Sequence, residues 1–522
     1  MTARPLMILG TSSHVGKSIL TAAFCRIFAT DGYSVAPFKS QNMSLNSAAT
    51  PEGLEIGRAQ ALQAEAAQIA ASVHMNPILL KPTRDTMSQV IVHGKILANL
   101  SAAEYHQWRV HELLPLVEQS YRWLAERYEV VVIEGAGSPA EINLKKNDIA
   151  NLRVAELADA PCILLGDIDR GGVFASLLGT LELLEPHERA RIRGFLVNKF
   201  RGDIALLTPG LRKIEERMGI PCLGVIPYLR NLALDEEDSV SMDIRASHAW
   251  GDDESPSRPL RIAVVALPYL ANFTDFDALS AEPSVELRYC RQPEEIAQAD
   301  VVILPGSKQT IDDLRWLRAN GWESTLRVCA AHRYIVGICG GMQMLGGRIE
   351  DTGEVEGGGE EAGFGLLPLR TAMLREKVTT PVQAHVEAEA WLNGELAGIS
   401  LRGYEIHVGE TTYIGDVKPL FRMKRAPEYR LEFEDGCISG DGRVIGTYLH
   451  GLFDEDSFRH CWIGAIRRSL GLADAVKLVN WKQRREEELN RLSDTVRDAV
   501  DLPAIYELMR LPVRAYAESN HG

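Results

Sequence analysis

The chain has 522 residues, 46% hydrophobic and 24% charged, with 71 acidic against 56 basic side chains and a formal net charge of −15. Its length exceeds one ordinary core and implies roughly two to four domains. The acidic balance argues against generic nucleic-acid binding but leaves room for a local basic pocket. No apolar run reaches bilayer length, and the N-terminus has neither the basic flank nor the cleavage site of a signal peptide. Eight scattered cysteines, with no Cys-x-x-Cys pair, suit reduced thiols in a cytoplasm better than a disulfide framework or zinc site.

Met7-Ile8-Leu9 reads as a short strand. It runs into Gly10-Thr11-Ser-Ser-His-Val-Gly16-Lys17-Ser18 and then an amphipathic helix from Ile19 to Ala29. Strand, glycine-rich turn and helix make a phosphate-binding loop: backbone N–H groups surround the phosphates, Lys17 neutralises them and the Ser18 hydroxyl can ligate Mg2+. Five residues, not the usual four, separate Gly10 from Gly16, and the early lysine of the partitioning ATPases is missing.

A second strand, Ser34 to Phe38, ends at Lys39. That lysine lies either on the ligand-binding edge of a parallel sheet or in solvent, and its position does not choose. Residues 55–68 are Ala-rich and helical by propensity. The strand-like cores of 76–82 and 88–94 form an insertion suited to substrate contacts. Tyr128 to Glu134 is an aliphatic strand ending on an acid, the arrangement that holds Mg2+ directly or through water; a surface glutamate closing a strand is the alternative. Pro161–Asp167 repeats the pattern, Arg193–Lys199 ends in Asn198-Lys199, a pair able to read a purine edge and pack on its ring, and Leu223–Pro227 closes the series. Strands alternating with helical stretches predict a doubly wound parallel sheet with ligands at its carboxyl edge.

Residues 235–259 are acidic and proline-containing, the chemistry of a linker. A second α/β series follows at 261–267, 285–290 and 301–304, leading to the apolar strand Tyr334–Ile338 and then Cys339-Gly340-Gly341. Gly337-x-Cys339-x-Gly341 is the thiol form of a nucleophile elbow, although a buried inert cysteine also fits those residues alone. Backbone N–H groups of Gly306, in the Pro305-Gly306-Ser307 turn, and of Gly340 are candidate oxyanion donors. Val444–Leu449 reads as a strand ending in His450, a structural histidine by itself but a catalytic candidate once an elbow cysteine shares the unit. His407 is expected close to the site, without an assigned role. The Gly/Glu run at 350–363 reads as a flexible, solvated loop, and the charged tail from Ser457 as helices packed on the second domain. No solenoid-length repeat is present.

A nucleotide-binding half joined to a cysteine-elbow half suggests that one site splits an amide to release ammonia while the other activates a carboxylate to accept it. At this point a resemblance enters. The lengthened loop from Gly10 to Ser18 resembles the dethiobiotin synthetase-like ATP enzymes, and Gly337-Ile-Cys-Gly-Gly with Thr447-Tyr-Leu-His-Gly resembles the class I (triad-type) glutamine amidotransferases. The chain from Gly10 to beyond Phe453 is similar to the cobyric acid synthase family. Lys39-Ser-Gln-Asn-Met-Ser, Gly166-Asp-Ile-Asp-Arg-Gly-Gly-Val-Phe and Gly403-Tyr-Glu-Ile-His-Val-Gly carry that likeness furthest.

The resemblance implies an ATP-binding amidoligase domain over 1–234, a linker at 235–259, an amidotransferase domain over 260–455 and a helical extension over 456–522. It implies ATP- and glutamine-dependent amidation of the b, d, e and g carboxylates of a corrinoid, adenosylcobyrinic acid a,c-diamide. Cys339 would be the nucleophile and His450 its base; Gly10, Thr11, Gly16, Lys17, Ser18, Lys39 and Asn198 would hold ATP, with Asn198 on the adenine; Ser18 and Glu134 would serve Mg2+. No nucleic acid, membrane or obligate protein partner is expected. Ordinary class I enzymes carry a glutamate two residues after the histidine, where this chain has Leu452, so the orienting partner of His450 stays open. The alternatives are a cobyrinic acid a,c-diamide synthase, a P-loop regulatory or partitioning switch with an inert cysteine domain, and amidation of a peptidoglycan lipid precursor; the absent early lysine opposes the switch, and the lack of an amphipathic basic segment opposes the last.

Overall fold

Strands with buried aliphatic cores set the frame of the first unit, because a sheet covered on both faces needs near-continuous aliphatic runs. In the computed structural model these are β1 (Arg4–Gly10), β2 (Val35–Phe38), β3 (Val130–Glu134), β4 (Cys162–Asp167), β5 (Ile192–Phe200) and β6 (Cys222–Pro227). All pair in parallel, in the order β6-β5-β4-β1-β3-β2, with helix α1 (Lys17–Thr30) following β1. The structure describes residues 3–84, 86–230, 232–234, 250, 253, 255–356, 358–387, 391–415 and 417–514. Most of the expected linker (235–249, 251, 252 and 254) lies outside the described residues. No described helix is long and apolar enough to cross a membrane.

The second unit has its own sheet. Its strands are β7 (Leu260–Val265), β8 (Val285–Cys290), β9 (Val301–Leu304), β10 (Tyr334–Ile338), β11 (Arg348–Asp351), β12 (Gly359–Ala362), β13 (Leu369–Val386), β14 (Ser400–Tyr413), β15 (Pro419–Arg425), β16 (Glu432–Ile438) and β17 (Val444–Thr447). Their order is β8-β7-β9-β10-β17-β16-β15-β13-β11-β12, with β14 paired to β13. From β8 to β17 neighbouring strands are parallel, so β7, β9, β10 and β17 end on one edge. Ligands of open α/β sheets bind at that edge.

Three expectations need correction. The division of the chain is not sequential: Leu45–Glu55 belongs to the second unit, and the residues from Arg485 onward belong to the first. The tail therefore splits. Helix α3 (Asp456–Ser469) buries Phe458, Trp462 and Ile466 in the second unit's core. Helices α4 (Trp481–Ala499) and α5 (Leu502–Leu508) put Leu489, Leu492, Val496 and Ile505 into the first unit's core with Phe24 and Phe28. Helical periodicity does not show which core a helix covers. Lastly, the Gly/Glu run is not a loose loop. β11 and β12 pair antiparallel, Asp351 accepts the N–H groups of Val355, Glu356 and Gly358, and Glu356 is buried against Lys308 at 3.1 Å. Buried carboxylates with such partners fix a backbone.

Candidate active site

Cys339 sits where β10 meets α2 (Gly340–Leu345), at φ 51 and ψ −110, a conformation costly for a residue with a Cβ. Crowding explains the glycines around it: a Cβ on Gly341 would lie 1.9 Å from the Leu304 carbonyl oxygen, and one on Gly337 would lie 2.8 Å from the Met342 backbone. The Cys339 N–H donates to the Thr447 carbonyl at 2.8 Å, and its thiol donates to the Ile406 carbonyl at 3.6 Å. Gly306 follows β9 and lies against Cys339 and His450; a Cβ built there would stand 3.4 Å from His450 Cε1 and 3.9 Å from Cys339 Cβ. Gly340 opens α2, where first-turn N–H groups have no intrahelical acceptor. Both glycines thus lie beside Cys339.

His450 leaves the carboxyl end of β17, fully buried. Its backbone exchanges two hydrogen bonds with Tyr404 of β14, whose ring stacks on the imidazole at 5.3 Å. Its Nδ1 lies 2.6 Å from Asp275 Oδ2. Asp275 belongs to the 3-10 turn Phe273–Phe276, and its Oδ1 also accepts the Gly451 N–H at 3.1 Å and the Tyr404 hydroxyl at 3.4 Å. Burial alone would lower the imidazole pKa, but the charge and hydrogen bond of Asp275, with a contribution from Cys339, raise it to about 10. The other ring nitrogen, Nε2, has no hydrogen-bond partner among the described residues. A cysteine, a histidine with its distal nitrogen unpaired and a carboxylate on the proximal nitrogen have the geometry of a thiol triad.

Sequence reasoning left this carboxylate open. Leu452, at the class I position, is wholly buried in the apolar core. Asp275 replaces it from the loop after β7, and only the sheet order reveals that. The turn is braced by the segment that joins this unit from the N-terminal part of the chain. Asn46 Oδ1 accepts the Phe273 N–H at 3.2 Å, and Asn272 Oδ1 accepts the Ser47 N–H at 3.0 Å. His407 is a buttress: it stacks on Tyr448 at 3.8 Å and its Nε2 meets Glu405 at 3.4 Å, while Glu405 is gripped by Arg425 at 2.6 Å.

The second candidate site lies at the carboxyl edge of the first unit's sheet. Lys17 Nζ donates to the Ser12 carbonyl at 2.9 Å and the Gly137 carbonyl at 3.0 Å, so it spans from the phosphate loop to the turn after β3. Thr11 follows β1 directly, its N–H bonded to Leu165 of β4. Gly10, Gly16 and Ser18 complete the loop, Gly16 at φ 100. Glu134 is not a surface residue. One oxygen accepts from Ser18 at 2.7 Å and pairs with Lys39 at 2.9 Å; the other accepts from Gln63 at 2.6 Å. Lys39 is likewise buried, which decides its open alternative against solvent. A hydroxyl beside a carboxylate suits Mg2+, which keeps waters and phosphate oxygens as most of its ligands. Asn198 donates to the Val15 carbonyl at 2.8 Å, and Lys199 to the His14 carbonyl at 2.7 Å. Both brace the loop from β5.

Residues 261–458 match the model of the CobB/CobQ-like glutamine amidotransferase domain, and residues 6–241 that of the CobQ/CobB/MinD/ParA nucleotide binding domain. The cobyric acid synthase of Thermoanaerobacter sp. (strain X514) is 48% identical over 510 residues, 97% of this chain and 99% of that protein. That of Klebsiella pneumoniae (strain 342) is 48% identical over 511 residues, covering 97% and 98%. Among solved structures, PurLQS from Thermotoga maritima matches 45% of this chain and 98% of its own at 18% identity and a TM-score of 0.30. With a nucleotide-binding unit and a glutamine amidotransferase unit in one chain, aligned end to end with these relatives, the protein belongs to the cobyric acid synthase family of glutamine-dependent amidotransferases.

Proposed function

We propose that the chain uses ATP, Mg2+ and glutamine to amidate the b, d, e and g carboxylates of adenosylcobyrinic acid a,c-diamide, giving adenosylcobyric acid. The observation that carries this reading is the Cys339–His450–Asp275 arrangement in a chain that also holds the Lys17–Ser18–Glu134 phosphate site. Cys339 gives its proton to His450 and attacks the side-chain carbonyl carbon of glutamine. The N–H groups of Gly306 and Gly340 stabilise the oxyanion. His450 then protonates the leaving nitrogen, ammonia departs, and a glutamyl thioester remains on the sulfur. Water, deprotonated by His450, cleaves the thioester and releases glutamate.

In the nucleotide site, an acceptor carboxylate oxygen forms a bond to the γ-phosphorus as the bond to the β-phosphate oxygen breaks and ADP leaves. Ammonia attacks the acyl carbon, phosphate departs, and the surplus proton passes to phosphate or solvent. Ser18 and Glu134 would hold Mg2+, which neutralises phosphate charge when bound. Lys17 would meet the β/γ end of ATP, and Asn198, which braces the loop through Val15, would serve the adenine. All eight cysteines are free, which suits a cytoplasmic enzyme of small-molecule substrates.

Cys339→Ser, assayed with glutamine or with ammonium as nitrogen source, tests the division of labour. Glutamine-driven amidation should vanish while ammonium-driven synthesis remains; equal loss of both in a folded protein would sink it. Product mass identifies the acceptor. Amidation of cobyrinic acid at a and c instead would move the chain to the diamide synthases.

A further inference from the structure

Phosphoryl transfer needs the acceptor oxygen in line with the γ-phosphorus, so the acceptor must approach the phosphate loop at its γ end. Lys17 marks that end through its bonds to Ser12 and Gly137. A cavity of about 430 Å3 opens there, with Ser13, Ala136 and Gly137 on its inner side. Its floor is held from below. Asn151 both accepts from the Ala136 N–H at 3.1 Å and donates to the Ala136 carbonyl at 2.8 Å, while Asp148 accepts the N–H groups of Ala150 and Asn151.

The outer wall has a different chemistry. Met43 and Leu144 line the cavity while 54% and 39% exposed, and Ile142, two residues before Leu144, is 61% exposed. Single exposed apolar side chains are ordinary, but two lining one cavity with a third two residues along the chain are not. Arg153 also lines it, exposed, with no acidic partner within ion-pair distance among the described residues. Of the lining acids, Glu188 is engaged by Lys145 at 2.5 Å and Asp148 by backbone, leaving Glu141 and Glu156 exposed at the rim.

A cavity of this volume readily takes a carboxylate side arm, and its exposed apolar rim is left for the ring. We infer that this cavity is the acceptor site: one propionate or acetate arm reaches Ser13 and Gly137, the methyl-rich ring rests on Met43, Ile142 and Leu144, and Arg153 receives a second peripheral carboxylate. The inference rests on the proposed corrinoid amidation. It also gives a physical reason why one site serves four arms. Apolar contact is non-directional, so the ring can be rotated on the platform between turnovers without losing a fixed set of hydrogen bonds.

The test uses the full-length enzyme with the a,c-diamide as acceptor. Leu144→Asp, Met43→Asp and Arg153→Glu should each raise the KM for corrinoid tenfold or more and leave the KM for ATP within twofold. Leu144→Ala and Arg153→Ala, which keep the charge balance closer to native, should show smaller rises of the same sign and serve if the charged variants misfold. Unchanged corrinoid KM in all of these, with wild-type enzyme amidating normally, overturns the cavity assignment and leaves the corrinoid reading standing. Failure of the wild-type enzyme to amidate the corrinoid overturns both.

Discussion

His450 Nδ1 and Asp275 Oδ2 lie 2.6 Å apart, both side chains almost wholly buried, although 3-10 turn and strand end come from opposite ends of the second unit's sequence. In that setting the carboxylate does two things: it fixes the tautomer and direction of the ring, and it makes a protonated imidazole tolerable in a dry site.

Asp275→Asn should therefore lower glutamine hydrolysis by about 10²–10⁴-fold and leave ammonium-driven amidation intact. The sign of the pH effect follows from the pKa. With Asp275 present, the imidazole holds its proton up to about pH 10. Without the anion, burial prevails and the pKa falls, so the alkaline limb of the glutaminase profile should move to lower pH. Ammonia release measured across pH checks both. A variant with wild-type rate and an unmoved alkaline limb would remove Asp275 from the mechanism.

The contrast between Asp275 and Cys339 shows what local pattern can reveal. Cys339 directly follows an apolar strand and His450 lies three residues past the end of another, so a short window carries their placement. Asp275 sits in an irregular turn with Asp277 two residues on, and nothing in Asn272-Phe-Thr-Asp-Phe-Asp distinguishes the acid that reaches β17. Lys39 was similarly undecided until the sheet set β2 beside β3, with Glu134 at the end of β3. The doubly wound order was legible because each buried strand is a separate aliphatic run. The excursion of Leu45–Glu55 was not, since Ser47 and Glu55 are polar residues made buriable only by their partners: they bond to each other at 2.8 Å, and Lys377 pairs with Glu55.

That excursion yields a second expectation. Asn46→Ala removes the acceptor of a buried backbone N–H in the turn that carries Asp275. Leaving such a donor unpaired costs about 1–3 kcal/mol, and the turn can relieve it only by shifting. We expect kcat for glutamine hydrolysis to fall with little change in KM, and Asn46→Asp, which keeps an acceptor oxygen, to recover part of the loss. An unchanged kcat would mean the brace does not act on Asp275.

Glu134 concentrates three partners on two oxygens, and Glu134→Gln keeps their shape while removing the charge. Lys39 then stays buried without its anion, and the place for Mg2+ loses its only carboxylate among these residues. Half-saturating Mg2+ for ATP-dependent amidation should rise about 10–100-fold, with either nitrogen source. Glutamine hydrolysis measured without nucleotide should not change. A normal Mg2+ titration would exclude Glu134 from metal binding.

The tail tests whether the first unit needs residues far beyond its own sheet. Leu492 is 1% exposed among Phe24, Phe28 and Ile505, Phe28 meets the Tyr506 ring edge-on at 5.5 Å, and the buried Arg26 is held by Asn490 at 2.8 Å and by Glu486. Leu492→Ala should cost about 2–5 kcal/mol of stability in that unit, because a methyl side chain leaves a cavity that two packed helices cannot close. Because α1 starts from the phosphate loop, the loss should also appear as weaker nucleotide protection against thermal unfolding. Calorimetry with and without ATP separates the transitions: the one shifted by nucleotide should move down and the other hold. If both stay in place, α4 and α5 are ornaments on the first unit and not part of its core.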